Sequence, residues 1–225
     1  MQPEALTRRY GAYLFDLDGT LIDTARDIQG ALNAALASAG LSAVDESLTR
    51  HWVGHGSRVL IEQALRFHQR PDIAADEAAM ERLRDLFIDH YTAHIADTSV
   101  VYPGVEETLV ELEARGARLG VVTNKYAGLS LQVLDAFGLR RYFGVFVCGD
   151  TLPQRKPDPA TALHALSVLG RTPSEALFVG DSATDVATAR AAGCAVVCVR
   201  EGYNHGIAPE DLGADAVIDS FLDLL

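Results

Sequence analysis

Two carboxylates, one residue apart, stand where a short apolar segment ends. Leu14 and Phe15 close a run typical of a buried strand, and Asp16, Asp18 and Gly19 follow it. Acids at positions i and i+2 at the mouth of a strand can point to the same side, where like charges repel unless a cation neutralises them. Such a pair is costly unless it binds a metal, shares a proton or takes part in chemistry.

The same residues have a plainer interpretation, an Asp-Gly turn with two solvated acids. A calcium-binding loop of the helix-loop-helix kind fits poorly, because its glycine belongs at the sixth loop position and the closing glutamate is missing. Residues elsewhere in the chain are needed to distinguish a solvated turn from a functional pair of acids.

The composition is that of a globular protein with an acidic surface. The 225 residues are 48% hydrophobic and 22% charged, and the formal net charge is −12. This charge argues against a nucleic-acid partner or an anionic membrane surface. It does not argue against an anionic substrate, which needs only local positive charge. A phosphate site in so acidic a protein is expected to use a metal and one or two lysines.

Cysteine usage and the absence of targeting signals indicate the compartment. Cys148, Cys194 and Cys198 are odd in number and lie in apolar runs, which predicts buried free thiols in a reducing compartment. Residues 1–9 lack the apolar core of a signal peptide, and no run reaches the roughly 18 apolar residues of a membrane span. We therefore expect a soluble, cytoplasmic protein.

Helical periodicity dominates residues 24–97. Thr24 and Asp27 predict a capping pair at the start of a helix that Gly40 stops. Further helices are expected at 45–53, 57–68 and 76–96. No convincing strand interrupts this helical block, which follows a single strand.

Strands and helices alternate after residue 102. Apolar runs predict strands at 119–123, 145–148, 177–180, 195–199 and 216–218. Helices are expected at 105–115, 127–137, 159–168 and 183–192. Continuous apolar strands that alternate with helices indicate a parallel sheet covered on both faces. The predicted fold class is α/β: a doubly wound, Rossmann-like core (1–22 and 99–225) with a helical domain inserted after the first strand (23–98).

Polar residues suited to phosphate or a divalent cation follow four of these strands. They are Asp16 and Asp18 after the first, Thr123, Asn124 and Lys125 after the second, Lys156 in the loop after the third, and Asp181 and Asp185 after the fourth. In such sheets ligands bind beyond the carboxyl ends of the strands. Singly, each could be a helix entry, a rigid turn or an acid favoured by a helix dipole. Their recurrence at four strand ends favours one shared site.

Together these residues resemble the four motifs of the haloacid-dehalogenase superfamily. The motifs are Asp16 to Thr20, Thr123, Lys156 before Pro157, and Gly180-Asp181 with Asp185. The resemblance covers essentially the whole chain and implies that the helical block is the small cap domain of that superfamily. Its phosphotransferases keep an acid at the place of Asp18, whereas its dehalogenases lack it, so the resemblance implies phosphoryl transfer.

The resemblance implies a chemical role for each core residue. Asp16 would attack phosphorus and form an aspartyl-phosphate, and Asp18 would protonate the leaving alkoxide and then take a proton from water. Thr123, assisted by the backbone amide of Asn124, would bind phosphoryl oxygens. Lys156 would supply positive charge beside the nucleophile.

A Mg²⁺ cofactor is also implied by the resemblance. Asp16, Asp181 and the backbone carbonyl of Asp18 would hold the ion, with waters and a phosphate oxygen completing an octahedron. Asp185 would hold Lys156 or a metal-bound water.

Segments 52–56 and 202–206 resemble bacterial phosphoglycolate phosphatases. They imply a phosphomonoesterase acting on a small phosphorylated metabolite such as 2-phosphoglycolate. His55 or Arg58, on a loop of the cap, is expected to contact a substrate carboxylate. A sugar-phosphate phosphatase, a phosphomutase and a non-catalytic protein that binds a phosphorylated effector remain alternatives, as do a monomer and a homodimer.

Overall fold

A six-stranded parallel sheet lies at the centre of this computed structural model, which describes residues 4–225. The strands of the described chain are β1 Ala12–Phe15, β2 Ile22–Asp23, β3 Val100–Val101, β4 Arg118–Val122, β5 Val145–Val147, β6 Ala176–Gly180, β7 Ala195–Val199 and β8 Ala216–Ile218. The sheet order is β5-β4-β1-β6-β7-β8, and all five neighbouring pairs are parallel. The predicted fold class is confirmed.

Helices cover both faces of the sheet. The helices are α1 Glu4–Thr7, α2 Ala25–Ser38, α3 Glu46–Trp52, α4 Ser57–Phe67, α5 Pro71–Ala75, α6 Glu77–Ala93, α7 Val105–Ala114, α8 Ala127–Ala136, α9 Ala160–Leu169 and α10 Ala183–Ala192. Because side chains alternate along a strand, Phe15 of β1 packs in a cluster with Leu109 of α7, whereas Leu14 packs in another with Ala165 of α9. Among residues 4–225, no helix is both long and apolar enough to cross a membrane.

Buried free thiols were predicted in the apolar runs, and this is confirmed. Cys148, Cys194 and Cys198 are all buried and unpaired. Cys198 lies on β7, and Cys148 directly follows β5. They fill the interior as small apolar side chains.

The chain between β2 and β3 forms a helical layer with a core of its own. Ile28 and Leu32 of α2, Leu60 of α4 and Phe87 of α6 belong to one buried cluster. The short helix α5 was not predicted, and α6 is shorter at both ends than the predicted 76–96. β2 and β3 pair antiparallel where the chain enters and leaves this layer. The domain boundaries themselves stay a prediction.

The predicted capping pair of Thr24 and Asp27 is wrong. The Thr24 side chain makes no cap hydrogen bond; its hydroxyl donates to Asp18 Oδ1 at 2.6 Å. The Asp27 carboxylate instead accepts hydrogen bonds from four donors where the chain leaves the helical layer. They are the backbone N–H groups of Thr98 (3.0 and 3.2 Å, to both oxygens) and Ser99 (2.8 Å) and the hydroxyls of the same residues (2.6 and 2.5 Å). A charged acceptor with four donors is a stronger arrangement than one helix cap. Asp27 therefore ties the two connections of the helical layer together.

We predict that Asp27→Asn lowers the free energy of unfolding at pH 7 by about 2 kcal/mol, because the N–H and hydroxyl groups of Thr98 and Ser99 lose their charged acceptor. Burial alone would raise the pKa of Asp27, but the hydrogen bonds from Ser99 and Thr98 outweigh it and lower the pKa below its ordinary 3.8. The contribution of the Asp27 carboxylate to the free energy of unfolding is therefore fully present above pH 3.8. It is lost as the pH falls through the lower pKa that Asp27 has in the folded protein. Urea unfolding of both proteins at pH 7 and at about pH 3 measures it.

The difference between wild type and variant should shrink at the acid pH. Asp89→Asn, at an exposed position of α6, is the matched control and should change the unfolding free energy by less than about 0.5 kcal/mol. A loss for Asp27→Asn that is independent of pH would contradict the assignment.

Candidate active site

β1, β4 and β6 end side by side, and the residue after each carries a predicted functional side chain. The N–H of Asp16 donates to the Val179 carbonyl at 3.0 Å, and the N–H of Thr123 donates to the Val147 carbonyl at 2.9 Å. The sheet ladder thus extends one residue past the strands. This fixes the direction in which Asp16, Thr123 and, after β6, Asp181 leave the backbone.

Lys156 lies between two carboxylates in the interior of the site. Its Nζ is 2.8 Å from Asp16 Oδ1 and 2.7 Å from Asp185 Oδ1, and all three side chains are at least nine-tenths buried. Burial alone would lower the pKa of Lys156, but Asp16 and Asp185 raise it above its ordinary value, so the ammonium stays charged. Burial raises the pKa of Asp16 to about 6, against the opposing effect of Lys156. Within residues 4–225, Asp16 Oδ1 has a cation beside it but no hydrogen-bond donor in suitable geometry.

The Asn124 side chain positions Lys156 and reaches the cap. Its Oδ1 accepts from the Lys156 N–H at 3.0 Å, and its Nδ2 donates to the carbonyls of Lys156 at 3.2 Å and Gly54 at 3.0 Å. The amide is therefore hydrogen-bonded to the backbone of the loop after β5 and of the loop between α3 and α4. The expected contact of its own backbone amide with a phosphoryl group stays a prediction.

Asp185 and Asp181 are held by different donors. Asp185 Oδ2 accepts from the Ser182 hydroxyl at 2.7 Å and from the N–H groups of Ser182 and Asp181 at 3.1 and 3.2 Å, which closes the start of α10. Asp181 Oδ1 accepts from the Thr20 hydroxyl at 2.8 Å, and its Oδ2 accepts from the Tyr203 N–H at 2.5 Å. Asp181 has no ammonium partner in the described part of the chain.

The acids of this site fit a divalent cation. Carboxylate oxygens of Asp16, Asp181 and Asp185 lie within 4.8 Å of one another, and all three residues are buried. With the Lys156 ammonium, three carboxylates leave a net charge of −2, counted as −3 + 1. Burial raises the pKa of Asp181 well above its ordinary value, and the charges of Asp185 and Asp16 add to the shift. An all-oxygen set with excess negative charge suits a hard cation.

Asp18 points away from this cluster, toward the cap. Its Oδ1 accepts from the Lys125 ammonium at 2.8 Å and from Thr24 Oγ1 at 2.6 Å. Lys125 Nζ also donates to the Tyr91 hydroxyl of α6 at 2.7 Å. Burial lowers the pKa of Lys125, and the Asp18 charge opposes that shift. The two strand-end acids therefore have separate partners, Lys156 for Asp16 and Lys125 for Asp18.

The two predicted cap contacts lie in different places. His55 Nε2 is 3.4 Å from Thr184 Oγ1, so the loop that carries it meets the start of α10. The Arg58 guanidinium instead binds Glu77 bidentately at 2.6 and 2.8 Å and Glu62 at 3.0 Å. Arg58 does not line the site cavity, and the structure does not bring it together with the other predicted residues.

A small cavity of about 50 Å³ separates the strand ends from the cap. Its lining is Asp16, Asp18, Ile28, Val53, Gly54, Gly56, Ser57, Leu60, Phe87, Tyr91, Thr123, Asn124, Lys125, Tyr126 and Leu129. Since about 10–15 Å³ of such space holds one water, the cavity has room for roughly four. It suits a compact ligand.

The sequence places Lys125 at a strand end beside Thr123 and Asn124 but assigns it no role. Its partners, Asp18 and Tyr91, are shown only by the structure. Tyr91 lies at helical spacing with the apolar residues Leu83 and Phe87, and such periodicity does not show where a hydroxyl points. Tyr203 belongs to the segment 202–206, whose resemblance to other proteins is visible in the sequence, but no spacing rule links it to Asp181.

Comparison with known proteins identifies the class. The chain matches the family of haloacid dehalogenase-like hydrolases over residues 13–199 and belongs to that family. The resemblance inferred from the motifs is confirmed, and the chain is a hydrolase by family.

Named relatives resemble the chain over most of their length. The phosphoglycolate phosphatase of Mesorhizobium japonicum is 47% identical over 190 residues, covering 84% of this chain and 82% of the relative. That of Nitrosococcus oceani is 39% identical over 211 residues, covering 94% and 93%. The crystal structure of a predicted phosphoglycolate phosphatase from Haemophilus somnus 129PT superimposes with a TM-score of 0.91 at 34% identity, covering 96% and 97%.

Gly202 allows the close approach that orients Asp181. A Cβ at this position would lie 2.1 Å from the Asp181 Cβ. We predict that Gly202→Ala lowers the free energy of unfolding by about 1–3 kcal/mol, because the two segments must move apart. Urea denaturation measures it. Gly128→Ala, in α8 with no atom within 4 Å of the added Cβ, is the control and should be neutral or stabilising by up to about 1 kcal/mol. Equal effects of the two substitutions would contradict the packing argument.

Proposed function

We propose that the enzyme is a Mg²⁺-dependent phosphomonoesterase that hydrolyses 2-phosphoglycolate to glycolate and phosphate. The observation that carries the proposal is the buried Asp16 carboxylate, which lines the cavity and has the Lys156 ammonium 2.8 Å from its Oδ1. The ammonium supplies positive charge at the place where a dianionic phosphate must approach the carboxylate. The names of the relatives from Mesorhizobium japonicum and Nitrosococcus oceani support the substrate.

In the first transfer, Asp16 attacks phosphorus. A bond forms between its carboxylate oxygen and phosphorus, the bond to the leaving oxygen breaks, and an aspartyl-phosphate results. Asp18, which Thr24 and Lys125 hold in place, gives its proton to the leaving oxygen. The Lys156 ammonium and the Thr123 hydroxyl bind the phosphoryl oxygens, on which charge must be stabilised.

In the second transfer, water replaces the alcohol. Asp18, now a carboxylate, takes a proton from the water as it attacks phosphorus, and Asp16 leaves as a free carboxylate. The enzyme returns to its starting state with phosphate as product. One residue thus serves as acid and then as base, which requires that it stay in place between the steps.

We assign Mg²⁺ to Asp16, Asp181 and the backbone carbonyl of Asp18, with Asp185 holding Lys156 or a metal-bound water. When bound, the ion offsets the −2 charge of the buried cluster and the repulsion between Asp16 and a dianionic phosphate.

The cap excludes water during the first transfer. Gly54 of the cap is bonded to Asn124, and Tyr91 of α6 is bonded to Lys125, so both contacts reach the residues that flank the nucleophile. Opening at the β2–β3 connections admits water and releases product. We place the enzyme in the reducing cytoplasm, where its buried thiols stay free, as a monomer or homodimer.

We predict that wild type releases phosphate from 2-phosphoglycolate only with Mg²⁺, and that Asp16→Asn lowers kcat by at least about 10³-fold, because an amide cannot form the acyl phosphate. Phosphate release is measured after chelation and again after Mg²⁺ is restored. Asp158→Asn, an exposed acid in the Lys156 loop, is the matched control and should retain wild-type kcat.

The substrate panel includes glucose 6-phosphate and β-glucose 1-phosphate with a bisphosphate activator. Lack of phosphate release from every monoester would overturn the phosphatase assignment. Full activity of Asp16→Asn would overturn the nucleophile, and faster hydrolysis of the sugar phosphates would overturn the substrate.

A further inference from the structure

We infer that Lys125, together with the Tyr91 hydroxyl, binds a carboxylate on the leaving group. This pair would select phosphomonoesters whose leaving alcohol carries a carboxylate on the carbon next to oxygen. The inference rests on the proposed phosphatase function and goes further, because it names the residues that read the substrate.

The charges around the cavity point to Lys125. The residues that the cap contributes to the lining carry no charge: Ile28, Val53, Gly54, Gly56, Ser57, Leu60, Phe87 and Tyr91. The charged lining residues in the described chain are Asp16, Asp18 and Lys125. An anionic group beyond the phosphate would be repelled by the Asp16 carboxylate and left unpaired against the cap. Lys125 is the cation that the lining offers it.

The Lys125 ammonium has one N–H donor more than the acceptors around it use. Its side chain is 5% exposed, and its Nζ has two acceptors, Asp18 Oδ1 at 2.8 Å and Tyr91 Oη at 2.7 Å. An ammonium has three N–H donors, so one remains for a ligand. The Tyr91 hydroxyl accepts from Lys125 and lies within hydrogen-bond reach of Thr24, and it can rotate its own proton toward a bound carboxylate. A carboxylate has two oxygens, which match these two donors.

The position of Lys125 matches the leaving group rather than the phosphoryl group. Lys156 serves Asp16, whereas Lys125 contacts Asp18, the acid proposed to protonate the leaving oxygen. In 2-phosphoglycolate the carboxylate carbon is two covalent bonds from that oxygen. When the leaving oxygen is within hydrogen-bond reach of Asp18, the carboxylate comes within reach of Lys125.

Tyr91 makes recognition depend on the cap. It belongs to α6, whereas Lys125 follows β4 of the core, and the Lys125 Nζ also lies 4.3 Å from the centre of the Tyr91 ring. A carboxylate bound to both groups would join the two domains and favour the closed form. The apolar side chains of Val53, Leu60 and Phe87 fit a methylene and offer no partners for sugar hydroxyls.

The test compares Lys125→Met with wild type on two substrates of equal length, 2-phosphoglycolate and 2-hydroxyethyl phosphate, which lacks the carboxylate. We expect kcat/KM of Lys125→Met to fall at least about 100-fold for 2-phosphoglycolate and less than about 10-fold for 2-hydroxyethyl phosphate, since only the first loses a buried charge partner. Arg82→Met, at an exposed position of α6 outside the cavity lining, is the control cation and should leave the ratio of the two substrates unchanged. Equal losses for both substrates would overturn the inference and leave Lys125 as a positioning residue for Asp18.

Two further measurements keep the inference testable if Lys125→Met does not fold. Tyr91→Phe retains the Lys125–Asp18 pair and should raise KM several-fold for 2-phosphoglycolate but not for 2-hydroxyethyl phosphate. Wild type should be inhibited competitively by glycolate and not by ethylene glycol at equal concentration. An unchanged KM ratio in Tyr91→Phe, or equal inhibition by both alcohols, would overturn it.

Failure of the inference and failure of the proposed function give different results. Wild type that hydrolyses both phosphomonoesters with equal kcat/KM is a phosphatase without carboxylate selection, so only the inference fails. If wild type releases phosphate from neither substrate, both the inference and the proposed phosphatase function fail.

Discussion

One buried ammonium between two buried carboxylates is the interaction on which the site depends. The effective cost of moving each ion out of water is several kcal/mol. Lys156, Asp16 and Asp185 are therefore stable in the interior only because each charge has an opposite charge beside it. Their positions are set from three directions: the sheet ladder at Asp16, the Asn124 amide on the Lys156 backbone, and the Ser182 cap on Asp185. The cluster still has excess negative charge, and this gives a divalent cation its place.

Tyr203 links that cluster to the cap. Its N–H donates to Asp181, its hydroxyl donates to Asp23 at 2.7 Å, and the same oxygen accepts from the N–H groups of Thr24 and Ala25 at 2.8 and 2.9 Å. The first turn of α2 is therefore joined through Tyr203 to Asp181, at the end of β6. A shift of the helical layer relative to the sheet would act on both ends of this link, which is a physical route by which the layer can affect the acids of the site.

The sequence predicts the sheet and the strand-end residues because both follow from short-range patterns. Apolar runs mark buried parallel strands, and polar residues at their carboxyl ends must face the same edge. It does not predict which donors a side chain chooses. Thr24 and Asp27 fit a helix cap, yet each takes a partner outside the helix, and Arg58 pairs with acids of its own layer. Lys125 is found at a strand end but receives no role from the sequence, because no rule assigns a buried lysine to one of two neighbouring acids.

The central claim is that the phosphoryl group passes through Asp16. The most direct test is an acid quench within the first turnover of 2-phosphoglycolate with Mg²⁺, followed by borohydride reduction and peptide mass spectrometry. An acyl phosphate is reduced to an alcohol, whereas a free carboxylate is not. Reduction at Asp16 that depends on substrate is the predicted result. Release of phosphate in the same turnover with reduction at a different carboxylate would contradict it.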